Sequence, residues 1–495
     1  MVIGGSGVAA EKTRTSYRAT YAVLATAVGG YSLLQSMIVP VLSTIQHGLH
    51  TSQNTVTWVL TAYLLSASIF TPIMGRLGDM FGKERLLVLC IVALTLGSLL
   101  AALASSMPIM IVARVIQGIG GGVLPLGFGL IRDEFPREKV AGAIGTLAAL
   151  AAAAAGLGIV LAGPITDALD YHWLFWMPMI VLACGAVAAH LVIPESQVRS
   201  PGRISWPGVF LLSGWLLAVI LGISQAPTWG WGSVRVIGLL VGGALLGVVW
   251  VVVESRSSHP LVDMRMMRIP TVWTTNLVAL LLGMGMYSVF AFLPEFLQTS
   301  PSAGYGFGLS ITHSGLVLLP FSVFMFALGM VSGRLSTRFG AKAVMVAGLL
   351  ISIGTFVLLT VALASQWEII VAMGVQGVGL GLAYSSMSSL VVEAVPQDQT
   401  GVASGMNANI RTIGGALGAA VMSSIVTSGV RPGGLPLRSG YTHGFGLLVV
   451  AAVAATGAGL LVPKIRNVPP TTTDAMAHAE LAMVAGGTIA GDGEE

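Results

Sequence analysis

Ionisable residues inside long apolar runs are the residues of this chain best placed to do chemistry. Arg114 and Arg411 each lie deep within such a run. An arginine at the centre of a membrane-spanning helix costs about 2.5 to 3.5 kcal/mol to insert, and it usually faces a cavity or a partner. Glu295 is the strongest acidic candidate, because the other carboxylates fall in loops, tails or helix edges. A carboxylate in such a run could take up a proton on one side and release it on the other.

A structural interpretation stays open for each of these three residues. Arg114 could be held permanently by backbone carbonyls and Gln117, and Arg411 could make a helix-packing bond. Glu295 could be an interfacial residue that reaches outer water past Pro294.

The elements that must position these residues are membrane-spanning helices. Hydrophobic residues make up 55% of the chain and charged residues only 9%, and the mean hydropathy is +0.87. A soluble protein needs far more surface charge. Fourteen apolar runs recur along the chain, each of about 20 residues, the length that crosses a bilayer as a helix. The sequence therefore predicts an all-α polytopic membrane protein.

An internal repeat organises these runs. The loop sequence GRLGDMFG at 75–82 returns as GRLSTRFG at 333–340, each copy between two apolar runs. IQGIGGG from Ile116 returns as VQGVGLG from Val375, and DEFPREKVAGAIG from Asp133 returns as VEAVPQDQTGVASG from Val392. The repeat predicts two pseudo-symmetric six-helix bundles, with the seventh and eighth runs inserted between them.

Domain boundaries follow from that repeat. We expect an N-terminal segment at 1–20, a six-helix lobe at 21–195, a linker with two inserted helices at 196–271, a second lobe at 272–462 and a disordered tail at 463–495. Because Lys and Arg collect in cytoplasmic loops, the positions of the 24 cations place both termini in the cytoplasm. The net charge of +4 then reflects topology and not nucleic-acid binding.

These features resemble the major facilitator superfamily, and within it the fourteen-helix drug:proton antiporters, over roughly residues 21–462. The loop after the second helix is similar to the family's first signature, and ARVIQGIGGG, which contains Arg114, is similar to the second. The antiporter signature of the fifth helix is only partly kept, through Gly156, Gly158, Gly163 and Pro164.

The resemblance implies roles for some residues and departs from the family at others. It gives Arg114 a role in proton transfer or substrate binding. Family members often carry an aspartate in the first helix, where this chain has Gln35. The coupling mechanism therefore does not carry over directly from relatives, and Glu295 is the candidate replacement for the missing acid.

The first loop signature predicts a conformational latch. Glycines permit tight turns between closely packed helix ends, and an aspartate can cap a helix N-terminus or pair with a cation. The repeat places Thr337 where the first copy has an aspartate, so a latch of this kind would act in one copy only. A solvated basic loop is the alternative. The latch candidates are Gly75, Arg76, Asp79, Gly82 and Arg85.

A central cavity is expected between the two bundles, lined by polar, aromatic and methionine side chains that adapt to bulky amphipathic ligands. Asn407 and Arg411 share one helix face through their spacing of four residues. The cavity candidates are Gln35, Tyr63, Asn276, Met286, Tyr287, Gln376, Tyr384, Met387, Asn407 and Arg411.

The sequence thus favours a secondary transporter that exports hydrophobic or cationic drugs or metabolites by proton antiport and alternating access. We expect a monomer in a bacterial plasma membrane that is driven by the proton gradient, with no cofactor, metal or nucleic-acid partner. A facilitator or importer of a native metabolite is the alternative, favoured by Gln35. A membrane enzyme or receptor is a remote alternative, because the eight histidines are scattered and no nucleophile–base pattern is present.

Overall fold

The computed structural model describes residues 17–51, 53–56, 58–195, 205–257, 260–427 and 436–463. The predicted N-terminal segment up to residue 16 and the predicted tail from residue 464 lie outside these ranges. Every regular element in the described ranges is a helix. The helices are α1 (Tyr17–Ser36), α2 (Leu42–Gly48), α3 (Gln53–Val56), α4 (Trp58–Phe81), α5 (Lys83–Ala102), α6 (Met107–Gly118), α7 (Val123–Glu134), α8 (Arg137–Ala168), α9 (Trp173–Val192), α10 (Trp206–Trp229), α11 (Val234–Arg256), α12 (Met264–Met267), α13 (Pro270–Gln298), α14 (Ile311–Phe339), α15 (Ala341–Val361), α16 (Gln366–Glu393), α17 (Thr400–Val426) and α18 (Arg438–Leu461).

The long helices confirm the predicted all-α polytopic fold. Thirteen segments of the described chain are long and apolar enough to cross a membrane. One of them joins α6 and α7 through a single 3₁₀ turn at Ile119–Gly122. The helix α17 is a further element of spanning length, with 27 residues, and its middle carries Asn407, Asn409 and Arg411. These polar residues lower its hydropathy, so length and packing identify it better than apolarity does.

Close contacts between small residues bring α8 and α14 together. A Cβ atom built on Gly163 of α8 would lie 2.6 Å from Thr312 Oγ1 of α14. At the other end of the same pair, a Cβ on Gly333 of α14 would lie 2.7 Å from Gly142 Cα of α8. Since real Cβ atoms essentially never approach that closely, both glycines are needed for this helix spacing. The predicted signature residue Gly163 therefore contributes directly to helix packing.

The inserted helices α10 and α11 pack on each other, and α10 also contacts α4 and α17. Leu212 and Leu216 of α10 and Trp250 of α11 share an apolar cluster with Val402 and Ala403 near the start of α17. The inserted pair therefore lies against helices from both halves of the sequence repeat.

Candidate transport cavity and helix-end contacts

A cavity of about 70 Å³ lies among α1, α4, α7, α8, α13, α16 and α17. Pockets that bury drug-sized ligands usually measure about 300 to 1,000 Å³, so a ligand of that size needs these helices to move apart. The lining residues are Tyr31, Ser32, Gln35, Tyr63, Leu64, Ala67, Ser68, Thr71, Gly121, Leu124, Ala151, Ala152, Ala155, Met286, Tyr287, Tyr384, Ala408, Asn409, Arg411 and Thr412.

Several residues proposed from the sequence meet in this cavity, although helices from both halves of the chain supply them. Those that line it are Gln35, Tyr63, Met286, Tyr287, Tyr384 and Arg411.

Four other candidates are buried but are not among the lining residues. Asn407 Nδ2 donates to Asn276 Oδ1 at 2.8 Å, and this bond joins α17 to α13 inside the protein. Gln376 is 2% exposed and Met387 is fully buried, both on α16. In this conformation the two asparagines join their helices, and none of the four side chains lines the cavity.

The lining also contains residues that were not among the cavity candidates predicted from the sequence. Tyr31 lies one helical turn before Gln35, a spacing of four that places both on one face of α1. Ala151, Ala152 and Ala155 of α8 leave the space that larger side chains would fill. The sequence signal for them was the alanine-rich run at 148–155, which reads equally well as a helix-packing surface.

Arg114 lies behind Tyr63 and not in the cavity lining. Its side chain is fully buried, its Nε donates to the Val59 carbonyl at 2.8 Å, and one terminal nitrogen donates to Gln117 Oε1 at 2.7 Å. The guanidinium also lies 4.5 Å from the centre of the Tyr63 ring. These contacts agree with the interpretation that a backbone carbonyl and Gln117 hold Arg114 in place. A solute in the cavity could contact Arg114 only if Tyr63 moved.

Arg411 does line the cavity. Its guanidinium lies 4.6 Å from the centre of the Tyr384 ring, and its buried Nε has no hydrogen-bond partner within the described chain. No aspartate or glutamate is among the residues that line this cavity. The cavity thus contains one positive charge with no adjacent carboxylate.

Glu295 lies one turn before the end of α13, away from the cavity lining. Its side chain is exposed, and it interacts electrostatically with the fully buried Tyr441 of α18. This position agrees with the interfacial interpretation. A role in proton uptake would then concern entry of the proton from the surface, with later transfer through other groups.

Asp79 makes the contacts between helix ends that the latch hypothesis requires. Its carboxylate is fully buried, and Oδ2 accepts the backbone N–H of Val402 at 3.4 Å, in the first turn of α17. Its Oδ1 lies 3.7 Å from Lys83 Nζ, which also contacts Asp133 Oδ2 at 2.6 Å. An acidic group at a helix N-terminus interacts favourably with the unpaired N–H groups and the helix dipole.

Glycines permit this approach. A Cβ atom on Gly75 would lie 2.5 Å from the Gly401 carbonyl oxygen. Gly82 has φ of 114°, a backbone conformation that favours glycine, at the turn between α4 and α5. Beside it, Arg85 Nε pairs with Glu195 at 2.6 Å. Arg76 is half-buried, one turn before Asp79 on α4.

Arg132 makes a second connection between helix ends, beyond the effect on membrane topology expected of the cations as a group. It lies in the last turn of α7 and donates to the Val392 and Val395 carbonyls, each at 2.6 Å, and to Thr400 Oγ1 at 2.7 Å. The last carbonyls of a helix lack intrahelical partners, so the end of α16 offers ready acceptors. Sequence carries no direct signal for backbone acceptors.

Packed helices of spanning length around a polar cavity, with buried charged contacts at one set of helix ends, define a polytopic membrane protein of the transporter class. The sequence profile of the Major Facilitator Superfamily matches residues 24–419 and 275–482. The chain belongs to the Major Facilitator Superfamily.

Similar proteins support this assignment. The tetracenomycin C resistance and export protein of Streptomyces glaucescens is 28% identical over 82% of this chain and 76% of its own. A multidrug resistance protein B homolog of Mycobacterium tuberculosis is 29% identical over 76% of this chain and 70% of its own. The crystal structure of the human organic anion transporter MFSD10 shares the fold, with a TM-score of 0.66 at 15% identity, covering 90% of this chain and 99% of that one.

Proposed function

We propose that this protein exports hydrophobic drugs or metabolites across a bacterial plasma membrane by proton antiport. In this proposal the halves at 21–195 and 272–462 rock about the central cavity, with both termini in the cytoplasm. The arrangement of the cavity carries the proposal, because its lining comes from both halves of the sequence repeat. Relatives named for multidrug resistance and for tetracenomycin C export support the direction of transport.

The contacts of Asp79 and Arg132 support alternating access. Both residues lie at helix ends of the first half, and both bind the segment at 392–402 of the second half. The cations near them, among them Arg76, Lys83 and Arg85, support a cytoplasmic position for this side. Closure here separates the cavity from the cytoplasm, and breaking these contacts would open the cavity to that side.

Facilitated diffusion is a second candidate function. It is favoured by one observation, the lack of a carboxylate among the lining residues, since a proton carrier beside the substrate would couple the two fluxes directly. In the antiport proposal the carrier is Glu295, assisted by Arg114, and it acts away from the substrate.

Proteoliposomes with an imposed pH gradient test the two functions against each other. A fluorescent hydrophobic dye and tetracenomycin C serve as probes. The antiport proposal expects probe accumulation against its own gradient in an acidic lumen, and loss of this accumulation when an ionophore dissipates the pH gradient. Probe movement that only equilibrates concentrations, with or without the pH gradient, contradicts export by antiport and identifies a facilitator.

The coupling residue has its own test in the same vesicles. Glu295→Gln removes the proton site while keeping the side-chain shape, so we expect gradient-driven accumulation to fall to the level of protein-free vesicles while probe binding stays unchanged. Asp170→Asn, at an exposed acid in the turn between α8 and α9, is the matched control and should transport normally. Full accumulation by Glu295→Gln would exclude Glu295 as the proton carrier.

A further inference from the structure

We propose that the cavity selects aromatic solutes that carry a negative charge, and that Arg411 is the residue that binds this charge. The inference rests on the proposed transport function and names the substrate class of the same cavity. It narrows the hydrophobic or cationic class expected from the sequence by removing cations.

The charges around the cavity favour an anionic solute. Among the lining residues, Arg411 is the only charged side chain. The nearest other charge described above is Arg114, which is also cationic and lies directly behind the lining residue Tyr63. A cationic solute in this cavity would meet two like charges and no carboxylate, whereas an anionic solute would supply the missing counter-charge.

Within the described residues, the guanidinium of Arg411 has an unused hydrogen-bond donor. The ion pairs within the described chain do not include Arg411, and its buried Nε has no hydrogen-bond partner there. A guanidinium is a planar group of five donors that fits a carboxylate through two parallel bonds. Arg411 therefore has donor capacity available at the cavity wall, where a carboxylate or phenolate can use it.

The tyrosines of the lining must also be considered, because a group of aromatic rings can bind a cationic ligand. Four tyrosines line the cavity, but two of their rings already interact with guanidinium groups of the protein itself. Arg114 lies 4.5 Å from the centre of Tyr63, and Arg411 lies 4.6 Å from the centre of Tyr384. Tyr31 and Tyr287 remain available to stack on an aromatic solute, and a phenol can donate to an anion.

Three probes of nearly equal shape test the charge preference. They are 2-naphthoate, 2-naphthylmethanol and 2-naphthylmethylammonium, which differ in the charge of one substituent. Affinities are measured on the purified full-length protein in detergent, without any gradient. We expect naphthoate to bind at least about tenfold more tightly than the ammonium probe, with the alcohol between them, because like charges in a desolvated site repel strongly.

Two substitutions at the same position assign that preference to Arg411. Arg411→Gln should bring the affinities for naphthoate and the ammonium probe within about twofold of each other, while Arg411→Lys keeps the charge and should keep the order. Arg338→Gln is the matched control, since Arg338 also lies over an aromatic ring, that of Phe339, but on an exposed part of α14. It should bind all three probes as the unmodified protein does.

Tighter binding of the ammonium probe, equal binding of all three probes, or no naphthoate binding at millimolar concentration would overturn the inference. An unchanged preference in a folded Arg411→Gln protein would also overturn it. These results leave the export proposal standing, because that proposal is tested by accumulation in vesicles. Conversely, the protein could equilibrate probes without accumulating them and still bind naphthoate most tightly. That result would contradict the antiport proposal and support the anion site.

Discussion

The two copies of the repeated segment, at 75–82 and 333–340, make one contact in common. The sequence predicted loops here, but the first copy continues α4 to Phe81 and the second continues α14 to Phe339. Gly75 of the first copy packs against Gly401 at the start of α17, and Gly333 of the second packs against Gly142 at the start of α8. Aligning Pro136 with Pro396 pairs Gly142 with Val402, the residue that follows Gly401. Each half of the chain therefore places a glycine of this segment against the beginning of a helix in the other half.

The charges of the two copies differ. In the first, Asp79 accepts the Val402 N–H and lies beside buried Lys83. In the second, Thr337 Oγ1 donates to the Arg334 carbonyl of its own helix, and Ala341 stands where the first copy has Lys83. The repeat therefore preserves the helix packing, whereas the electrostatic contact of this segment with the other half belongs to one copy.

The largest difference in stability between variants of the two copies is expected when the buried cation Lys83 is removed. Lys83→Met leaves Asp79 and Asp133, which are 0% and 2% exposed, without their shared counter-charge. Removing one partner of a buried ion pair typically costs about 3 to 5 kcal/mol. The thermal unfolding temperature of Lys83→Met in detergent should therefore be much lower than that of the unmodified protein. Asp79→Asn combined with Asp133→Asn should restore part of the loss.

Lys342→Met is the control from the second copy. Lys342 is half-buried and donates to the Leu460 carbonyl at 2.6 Å, with no ion pair among the described residues. Its loss should cost about 1 kcal/mol, the usual value for one hydrogen bond. Equal destabilisation by the two substitutions would contradict the view that the buried charge belongs to the first copy.

An intermediate effect, equal in the two copies, is expected at the paired glycines. A Cβ atom would lie 2.5 Å from the Gly401 carbonyl oxygen in Gly75→Ala and 2.7 Å from Gly142 Cα in Gly333→Ala. Relieving such overlaps costs about 1 to 3 kcal/mol, and separation of the halves relieves both. Each substitution should therefore increase the exposure of the cavity to the cytoplasm.

Alkylation of a reporter cysteine measures this exposure. Ala152→Cys places the reporter in the cavity lining, with Cys184 replaced by serine because it is exposed and Cys90 kept because it is buried. Gly354→Ala, where an added Cβ meets nothing within 4 Å, is the control. Faster labelling from Gly75→Ala alone would show that the two glycine contacts are not equivalent.

The fold was largely predictable from the sequence. The length of each apolar run predicts a spanning helix by itself, and the repeated motifs show which runs correspond in the two halves. The same motif indicated that Asp79 could cap a helix or pair with a cation. It did not indicate which helix, since Val402 lies 323 residues further along the chain. The contacts of Arg132 were not predictable either, because they are made mainly to backbone carbonyls, which every residue has.

The cavity was predictable only in part. Large polar and aromatic residues such as Gln35 and Tyr384 stand out in an apolar helix, and both line the cavity. Asn276 and Asn407 stand out equally but bond to each other in the interior. Whether a polar side chain meets another side chain or open space depends on helix rotation, which the apolar periodicity of a helix buried on most sides does not specify.

The most direct test of the one-sided latch compares Asp79→Asn with Thr337→Val in the Ala152→Cys labelling assay. A carboxylate at a helix N-terminus contributes about 1 kcal/mol, so Asp79→Asn should raise the labelling rate from the cytoplasmic side about fivefold by shifting the two-state equilibrium. Thr337→Val should leave the rate unchanged. An unchanged rate in Asp79→Asn, or an equal increase in both variants, would contradict a latch that depends on the single carboxylate of the first copy.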